Sequence, residues 1–251
     1  MLPKNLLSLQ HPFVKYLVSL RKERCFRRKE QKVLVIGTKM VKEIFSQNTK
    51  IETLLVERDF SFTTPYPVQN TYTVSKEILK KITGVPEPEP IVATISMPLF
   101  QDLSNTSHLL VLDGISDPGN LGTLLRTALA LGWDGAYLLE NTCDPYNEKA
   151  LRAAKGATFR LPLQEGSWEQ LLTILTKNSF QVLVADKEGQ KACQIPKKTP
   201  IALLLSRESQ GVREEAKHLF QRVTIPMQDS MESLNVASAG AILLYQLKGD
   251  L

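Results

Sequence analysis

Cysteine is scarce in this chain. Three residues, Cys25, Cys143 and Cys193, are scattered through 251 positions. Their odd number and the lack of any CxxC pair or Cys/His cluster exclude a disulfide framework or a zinc site and point to a reducing compartment. Long hydrophobic runs are also missing. None approaches the roughly 20 residues of a membrane helix. The opening stretch is broken by Pro3, Lys4, His11, Pro12 and Lys15, unlike a signal peptide. The expectation is therefore a cytoplasmic protein with no membrane partner and no metal. Gly114, Gly119 and Gly122, which follow the apolar run ending at Asp113, have the wrong spacing for GxGxxG. That excludes a dinucleotide-dependent oxidoreductase. Internal repeats and low-complexity tracts are absent as well.

The residues present are those of an ordinary globular chain, 43% hydrophobic and 23% charged, long enough to bury a core without covalent staples. The placement of charge says more than its total. Arg21, Lys22, Arg24, Arg27, Arg28, Lys29 and Lys32 stand among only two acids, Glu23 and Glu30, so this segment alone equals the +5 excess of the whole chain. Such a cluster suits a phosphate backbone. The plainer reading is a solvated helix face.

Hydrophobic periodicity divides the chain into two α/β halves that meet near residue 100. In the first, a helical pattern runs from Phe13 to about Lys29. Val33–Ile36 reads as a strand ended by Gly37, and Thr38 is placed to cap a helix through Phe45. Ile51–Val56 is a second strand, Ser75–Ile82 a capped helix, and Ile91–Ile95 a third strand after a loop with prolines at 86, 88 and 90. The stretch 98–107 has linker character. In the second half, strands at Leu109–Asp113, Gly135–Leu139, Phe159–Leu161, Gln181–Ala185, Ile201–Leu205 and Val223–Ile225 alternate with helices. Those helices are expected near Leu121–Leu131, Tyr146–Lys155, Trp168–Leu175, Val212–Phe220 and Asn235–Leu247. Alternation of this kind predicts a parallel sheet covered on both faces.

In such sheets chemistry gathers at the loops leaving the carboxyl ends of strands, and three of those loops are chemically rich. In Asp117–Ala128, Asn120 can cap a helix. Arg126 follows six residues later in an otherwise apolar helix, where a buried guanidinium would need a partner. Leu205–Val212 is a polar turn in which Glu208 could pair with a cation or a ligand. Ile225–Ala241 leaves a strand at Pro226 and enters a helix of very small residues, with Ser233 and Asn235 beside its amino end. Alone, the first two read more readily as structure, an Arg–carboxylate pair and a solvated turn, and the third is compatible with close helix packing at the same time.

Together, in this order, the three segments resemble the signature motifs of the SpoU (TrmH-type) branch of the SPOUT RNA methyltransferases. Asn120, Gly122 and Arg126 match Asn-x-Gly-x-x-x-Arg. Ser206-Arg207-Glu208-Ser209-Gln210-Gly211 matches Gly-x-Glu-x-x-Gly. Ile225-Pro226-Met227 with Ser233-Leu234-Asn235-Val236 matches the third motif nearly letter for letter. Residues 1–97 are similar to the L30e-like substrate-binding domain often attached in that family, on Leu7–Lys15 and Leu34–Gly37. The resemblance implies a fold class: α/β, with a small amino-terminal L30e-like domain (1–97), a linker (98–107) and a carboxyl-terminal parallel-sheet SPOUT domain with a trefoil knot (108–251). It also implies a homodimer that transfers methyl from S-adenosylmethionine to RNA ribose 2′-oxygens, on ribosomal RNA in preference to transfer RNA. Leu205, Ser206, Gly211, Ile225, Met227, Ser233, Leu234 and Asn235 would hold the cofactor. Arg126, Asn120, Glu208, Ser233 and Asn235 would form the catalytic group. Arg21, Lys22, Arg24, Arg27, Arg28 and Lys29 would meet RNA. Arg126 would act as general base or as a fixed positive charge, the second because a guanidinium holds its proton at neutral pH. The other reading is a non-catalytic RNA-binding protein on the same scaffold. Two positions depart from the family pattern: Ser206 stands where glycine is usual, and Ile36-Gly37 where Glu-Gly is common. A positive φ at Ser206 would carry strain.

Overall fold

A computed structural model describes residues 4–207, 211–228 and 230–248 of the chain. It divides into two compact units at Pro98, with Tyr146–Leu151 grouped with the first.

The first unit is built on a five-stranded mixed sheet in the order β1-β4-β3-β5-β2. Its strands are β1 (Lys4–Leu6), β2 (Lys32–Ile36), β3 (Ile51–Glu57), β4 (Asn70–Val74) and β5 (Ile91–Ser96). β5 runs antiparallel to both β2 and β3, while β4 is parallel to β3 and β1. The helices α1 (Pro12–Lys22) and α4 (Lys76–Thr83) share a core with the sheet, through Val14, Leu17 and Leu20 on α1 and Ile78, Leu79 and Ile82 on α4. Ser75 caps α4 and Gly84 ends it in the left-handed conformation, as the cap signals require.

The single helix expected over Phe13–Lys29 is two. The chain turns at Glu23, whose extended backbone closes α1 and opens α2 (Arg24–Glu30). Arg27 explains the break. It is 1% exposed, and its Nη1 donates to the Leu20 and Arg21 carbonyls at 2.6 and 2.7 Å. Those are carbonyls of the last turn of α1, which a helix end leaves without partners. Thr38 is likewise not a cap. It is the first residue of α3 (Thr38–Ser46), Gly37 holds the cap position at φ 103°, and the Thr38 N–H donates to the Glu89 carboxylate at 2.8 Å.

The second unit is a six-stranded, wholly parallel sheet in the order β11-β9-β10-β6-β7-β8. Its strands are β6 (His108–Asp113), β7 (Gly135–Leu139), β8 (Leu163–Gly166), β9 (Gln181–Lys191), β10 (Ile201–Ser206) and β11 (Gln221–Thr224). One face carries Leu109, Val111, Val182, Val184, Ala202 and Leu204 against α8 (Trp168–Lys177) and α9 (Glu214–Leu219). α5 (Pro118–Ala130) and α10 (Val236–Leu247) pack on one another, and α10 also packs on β10. The strand expected at Phe159–Leu161 falls instead on the short helix α7 (Ala157–Arg160), and β8 begins two residues beyond Leu161, past Pro162. β9 extends to Lys191, well past Ala185, because it continues as the partner of β11 across a register shift at Arg222/Val223.

The small residues of α10 serve close packing. A Cβ on Gly240 would lie 2.3 Å from a Leu124 methyl and 2.7 Å from a Leu205 methyl. Both leucines are fully buried, so neither has room to give way. Gly240 thereby sets how near α10 can sit to α5 and β10.

Candidate functional site

The carboxyl ends of β9, β10 and β11, with the loop leading into α10, enclose an open-sided, mostly apolar cavity. Leu205 and Ser206 come from the end of β10, Ile225 and Met227 from the segment after β11, and Ser233 and Leu234 from the approach to α10. Six residues read from the sequence as cofactor-binding therefore share one wall. Sequence reasoning missed others. Asp186 and Lys187 lie on the extension of β9, and Val236, Ala239 and Leu243 lie along α10. The first two escaped notice because β9 was expected to stop at Ala185. The last three follow from helical spacing once α10 is known to face the sheet.

Asn235 stands between two lining residues and is the cap of α10. Its Oδ1 accepts from the Ala237 and Ser238 N–H groups at 2.9 and 3.3 Å, and its Nδ2 donates to Asn120 Oδ1 at 3.3 Å. The first and third motifs are thus joined by one hydrogen bond between their asparagines. Asn120 is not itself a cap. α5 starts earlier, at Pro118, and Asp117 caps it by accepting from the Asn120 N–H at 2.9 Å. That leaves the Asn120 side chain available for Asn235.

Arg126 lies on the exposed face of α5, opposite Leu121, Leu124, Leu125 and Ala128. The expectation of a buried guanidinium is corrected. Among the described residues Arg126 has no ion pair and no hydrogen bond, and it does not line the cavity. Glu208, for which the sequence left a cation or a ligand as partner, lies outside the described residues.

The second motif is anchored at both ends by Asp113, the last residue of β6. Its carbonyl accepts from the Arg207 N–H at 3.1 Å. Its carboxylate accepts from Arg213 Nε and Nη2 at 2.8 and 2.9 Å. Arg213 also lies over the Trp168 ring, 4.4 Å from its centroid. The Asp113 carboxylate beside it raises the guanidinium's pKa further above its ordinary value. Asp113 and Arg213 carried no sequence signal, since the pair closes only when β6 and the start of α9 come together. Gly211 does not line the cavity. It sits at φ +64°, a conformation only glycine adopts without strain. Ser206 closes β10 opposite Asp113 and is not among the residues with positive φ, so the strain considered for a serine there does not arise.

Of the basic segment, Arg27 is consumed by the helix junction and is unavailable to a phosphate. Arg21 is half-buried against Gly84 and Arg24 is half-buried. Lys22, Arg28 and Lys29 are exposed.

A model described as the SpoU rRNA methylase family matches residues 107–245, and one described as the MRM3-like substrate binding domain matches residues 11–93. The chain belongs to the SpoU rRNA methylase family. Among curated proteins it is 30% identical to the 23S rRNA (guanosine(2553)-2′-O)-methyltransferase RlmP of Bacillus subtilis, over 89% of this chain and 91% of that one. Among solved structures it is similar to an AdoMet-bound rRNA methyltransferase from Sinorhizobium meliloti, with a TM-score of 0.88, 25% identity and 97% of each chain covered. It is also similar to a TrmH-family protein from Porphyromonas gingivalis, with a TM-score of 0.84, 29% identity, and 96% of this chain and 98% of that one covered. As a SpoU family member the chain keeps the fold over nearly its whole length.

Proposed function

We propose that this SpoU family protein methylates ribose 2′-oxygens of ribosomal RNA with S-adenosylmethionine. The observation that carries the reading is the convergence of the second and third motifs on one cavity, beside an Asn120–Asn235 bond that ties in the first. The relatives above, an rRNA 2′-O-methyltransferase and an AdoMet-bound rRNA methyltransferase, support ribosomal RNA over transfer RNA.

The cavity fits the cofactor chemically. Leu205, Ile225, Leu234, Val236 and Leu243 provide apolar walls for an adenosyl group, and Asp186, Lys187, Thr224 and Ser233 are among the polar residues of the lining. When bound, S-adenosylmethionine supplies an electrophilic methyl group on a sulfonium. The chain's task is then placement of the ribose and removal of its proton. Asn235 fixes the start of α10 and so holds Leu234 and Val236 in the wall. Arg126, exposed on α5, meets the RNA side of the reaction. A guanidinium keeps its proton at neutral pH, so it acts as a fixed charge that lowers the energy of the 2′-oxyanion, and the proton leaves to a phosphate or to water. Only RNA carries a 2′-hydroxyl, which makes the choice against DNA intrinsic to the chemistry.

We assign residues 1–97 as the RNA-recruiting domain, 98–107 as the linker and 108–251 as the catalytic domain, with Lys22, Arg28 and Lys29 the exposed cations of the basic segment 21–29 in the first. A trefoil knot and a homodimer belong to the same reading. No helix among the described residues is long and apolar enough to cross a membrane, and no group of metal ligands is found among them.

The test is incubation with S-adenosylmethionine carrying a labelled methyl group, with protein-free ribosomal RNA and bulk transfer RNA in separate reactions. Label in the ribosomal pool alone is the expected outcome. Label in transfer RNA alone would overturn the substrate assignment. Absence of cofactor binding by calorimetry would return the chain to the RNA-binding reading.

A further inference from the structure

Asp113 stands where two functional loops begin. It ends β6 opposite Ser206, the last residue of β10. From Asp113 the chain runs through Gly114, at φ +72°, to Asp117 and Asn120 of the first motif. Ser206 opens the second motif. Asp113 holds that second loop at each end. Its carbonyl accepts from the Arg207 N–H at 3.1 Å, and its carboxylate accepts from Arg213 Nε at 2.8 Å and Nη2 at 2.9 Å. The Trp168 ring lies against the same guanidinium, 4.4 Å from its carbon. The Glu215 carboxylate is farther away, 3.9 Å from Nη1, so the fork belongs to Asp113.

Little else gives this turn a direction. Ala216 is the one buried residue of α9, and Val212 is a second apolar anchor just before it. Contacts of that kind are non-directional. A two-pronged guanidinium–carboxylate contact fixes distance and angle together. It adds only modestly to stability where the Arg213 side chain keeps 30% of its exposure. Its larger effect is on alignment.

We propose that Asp113 and Arg213 are a positioning pair for methyl transfer. Neither lines the cavity. By holding the second motif against the end of β6, they keep the Leu205–Ser206 wall in one alignment with Asn120, on the loop that leaves the same strand end. The inference rests on the methyltransferase reading above. It requires the pair to act as a unit: breaking either half releases the turn, so breaking both does no further harm.

The experiment is a double-mutant cycle on the full chain: wild type, Asp113→Asn, Arg213→Gln and the two together, with Arg213→Lys beside them. Each protein is followed by thermal unfolding. Well below its midpoint, each is then measured by calorimetry with S-adenosylmethionine and by labelled-methyl transfer to ribosomal RNA. Each single variant is expected to bind the cofactor about five- to twentyfold more weakly, with the double variant within about twofold of the weaker single. The kcat at saturating cofactor should fall as well. Arg213→Lys keeps the charge but loses the fork. It should unfold within about two degrees of wild type and bind as weakly as Arg213→Gln. Lower midpoints with unchanged affinity and kcat would overturn the proposal, since the pair would then serve only the fold. Full affinity in Arg213→Lys would overturn it too, because charge alone would suffice. So would losses that multiply in the double variant, which would make the two residues independent. If the uncharged variants do not fold, Arg213→Lys decides the matter by itself. Wild-type protein that binds no cofactor would instead sink the methyltransferase reading.

Discussion

Two arginines stand in opposite settings. Arg27, on α2 within the basic run, is almost wholly buried and spends its Nη1 on two carbonyls at the end of α1. Arg126, on the apolar helix α5, is exposed and has no partner among the described residues. A guanidinium brings five donors and a permanent charge, and those are useful to a fold only where carbonyls or carboxylates wait for them. The end of α1 supplies such acceptors, so Arg27 holds the fold. Among the described residues the outer face of α5 supplies none, which fits the substrate-facing role proposed above for Arg126. Neighbouring residue types are therefore a poor guide to what an arginine does; the acceptors within reach decide it.

The contrast can be broken by exchanging the measurements made on the two sites. Arg126→Ala is expected to lower methyl transfer by about 10²–10³-fold, the usual effect of removing one donor to a developing oxyanion, with a melting temperature within a degree or two of wild type. Arg126→Lys, which keeps the charge but loses the fork, should recover part of the rate. Arg27→Ala is expected to do the reverse. It removes charge-assisted hydrogen bonds and should cost roughly 2–4 kcal/mol in denaturant unfolding, while cofactor affinity of the folded protein is unchanged. An Arg27 variant that folds normally and loses only RNA affinity would reverse the assignment.

Smaller effects sharpen the picture of the second unit. Gly240→Ala pushes a methyl against Leu124 and Leu205 and should cost about 1–3 kcal/mol by overpacking, read as a lower unfolding midpoint. Asn235→Ala removes the cap of α10 and its bond to Asn120. The expected cost is about 1 kcal/mol in stability, together with weaker cofactor binding by calorimetry. The smallest changes belong to the surface of α1 and α2. Lys22→Ala and Lys29→Ala should each weaken RNA binding modestly and each reduce the salt dependence of log affinity by about one unit of slope, with no effect on unfolding.

Much of the second unit was legible because its strands are apolar runs and its loops hold densely specified chemistry. Leu109–Asp113 and Ile201–Leu205 are adjacent strands in full parallel register, as buried runs of that kind suggest. That Leu205, Ser206, Ile225, Met227, Ser233 and Leu234 belong together was implied by the motif resemblance rather than by periodicity, and they line one cavity. The parts that escaped depend on contacts far apart in sequence. The continuation of β9 past Ala185 is fixed by its partner β11, and polar Lys187–Lys191 gave no strand signal of its own. The Asp113–Arg213 pair spans a hundred residues of chain. In the first unit, β1 and β4 are short and largely polar, so periodicity could not reveal them. The break between α1 and α2 comes from one buried guanidinium rather than from a glycine or proline, the usual signals of a helix end.

The central claim is tested most directly by locating the transferred methyl group. Ribosomal RNA labelled by the wild-type protein would be digested with alkali, which cleaves beside free 2′-hydroxyls and leaves intact any linkage whose 2′-oxygen carries a methyl group. The expected result is label confined to alkali-resistant dinucleotides and lost with Arg126→Ala. Label released in mononucleotides would place the methyl group on a base and contradict the account.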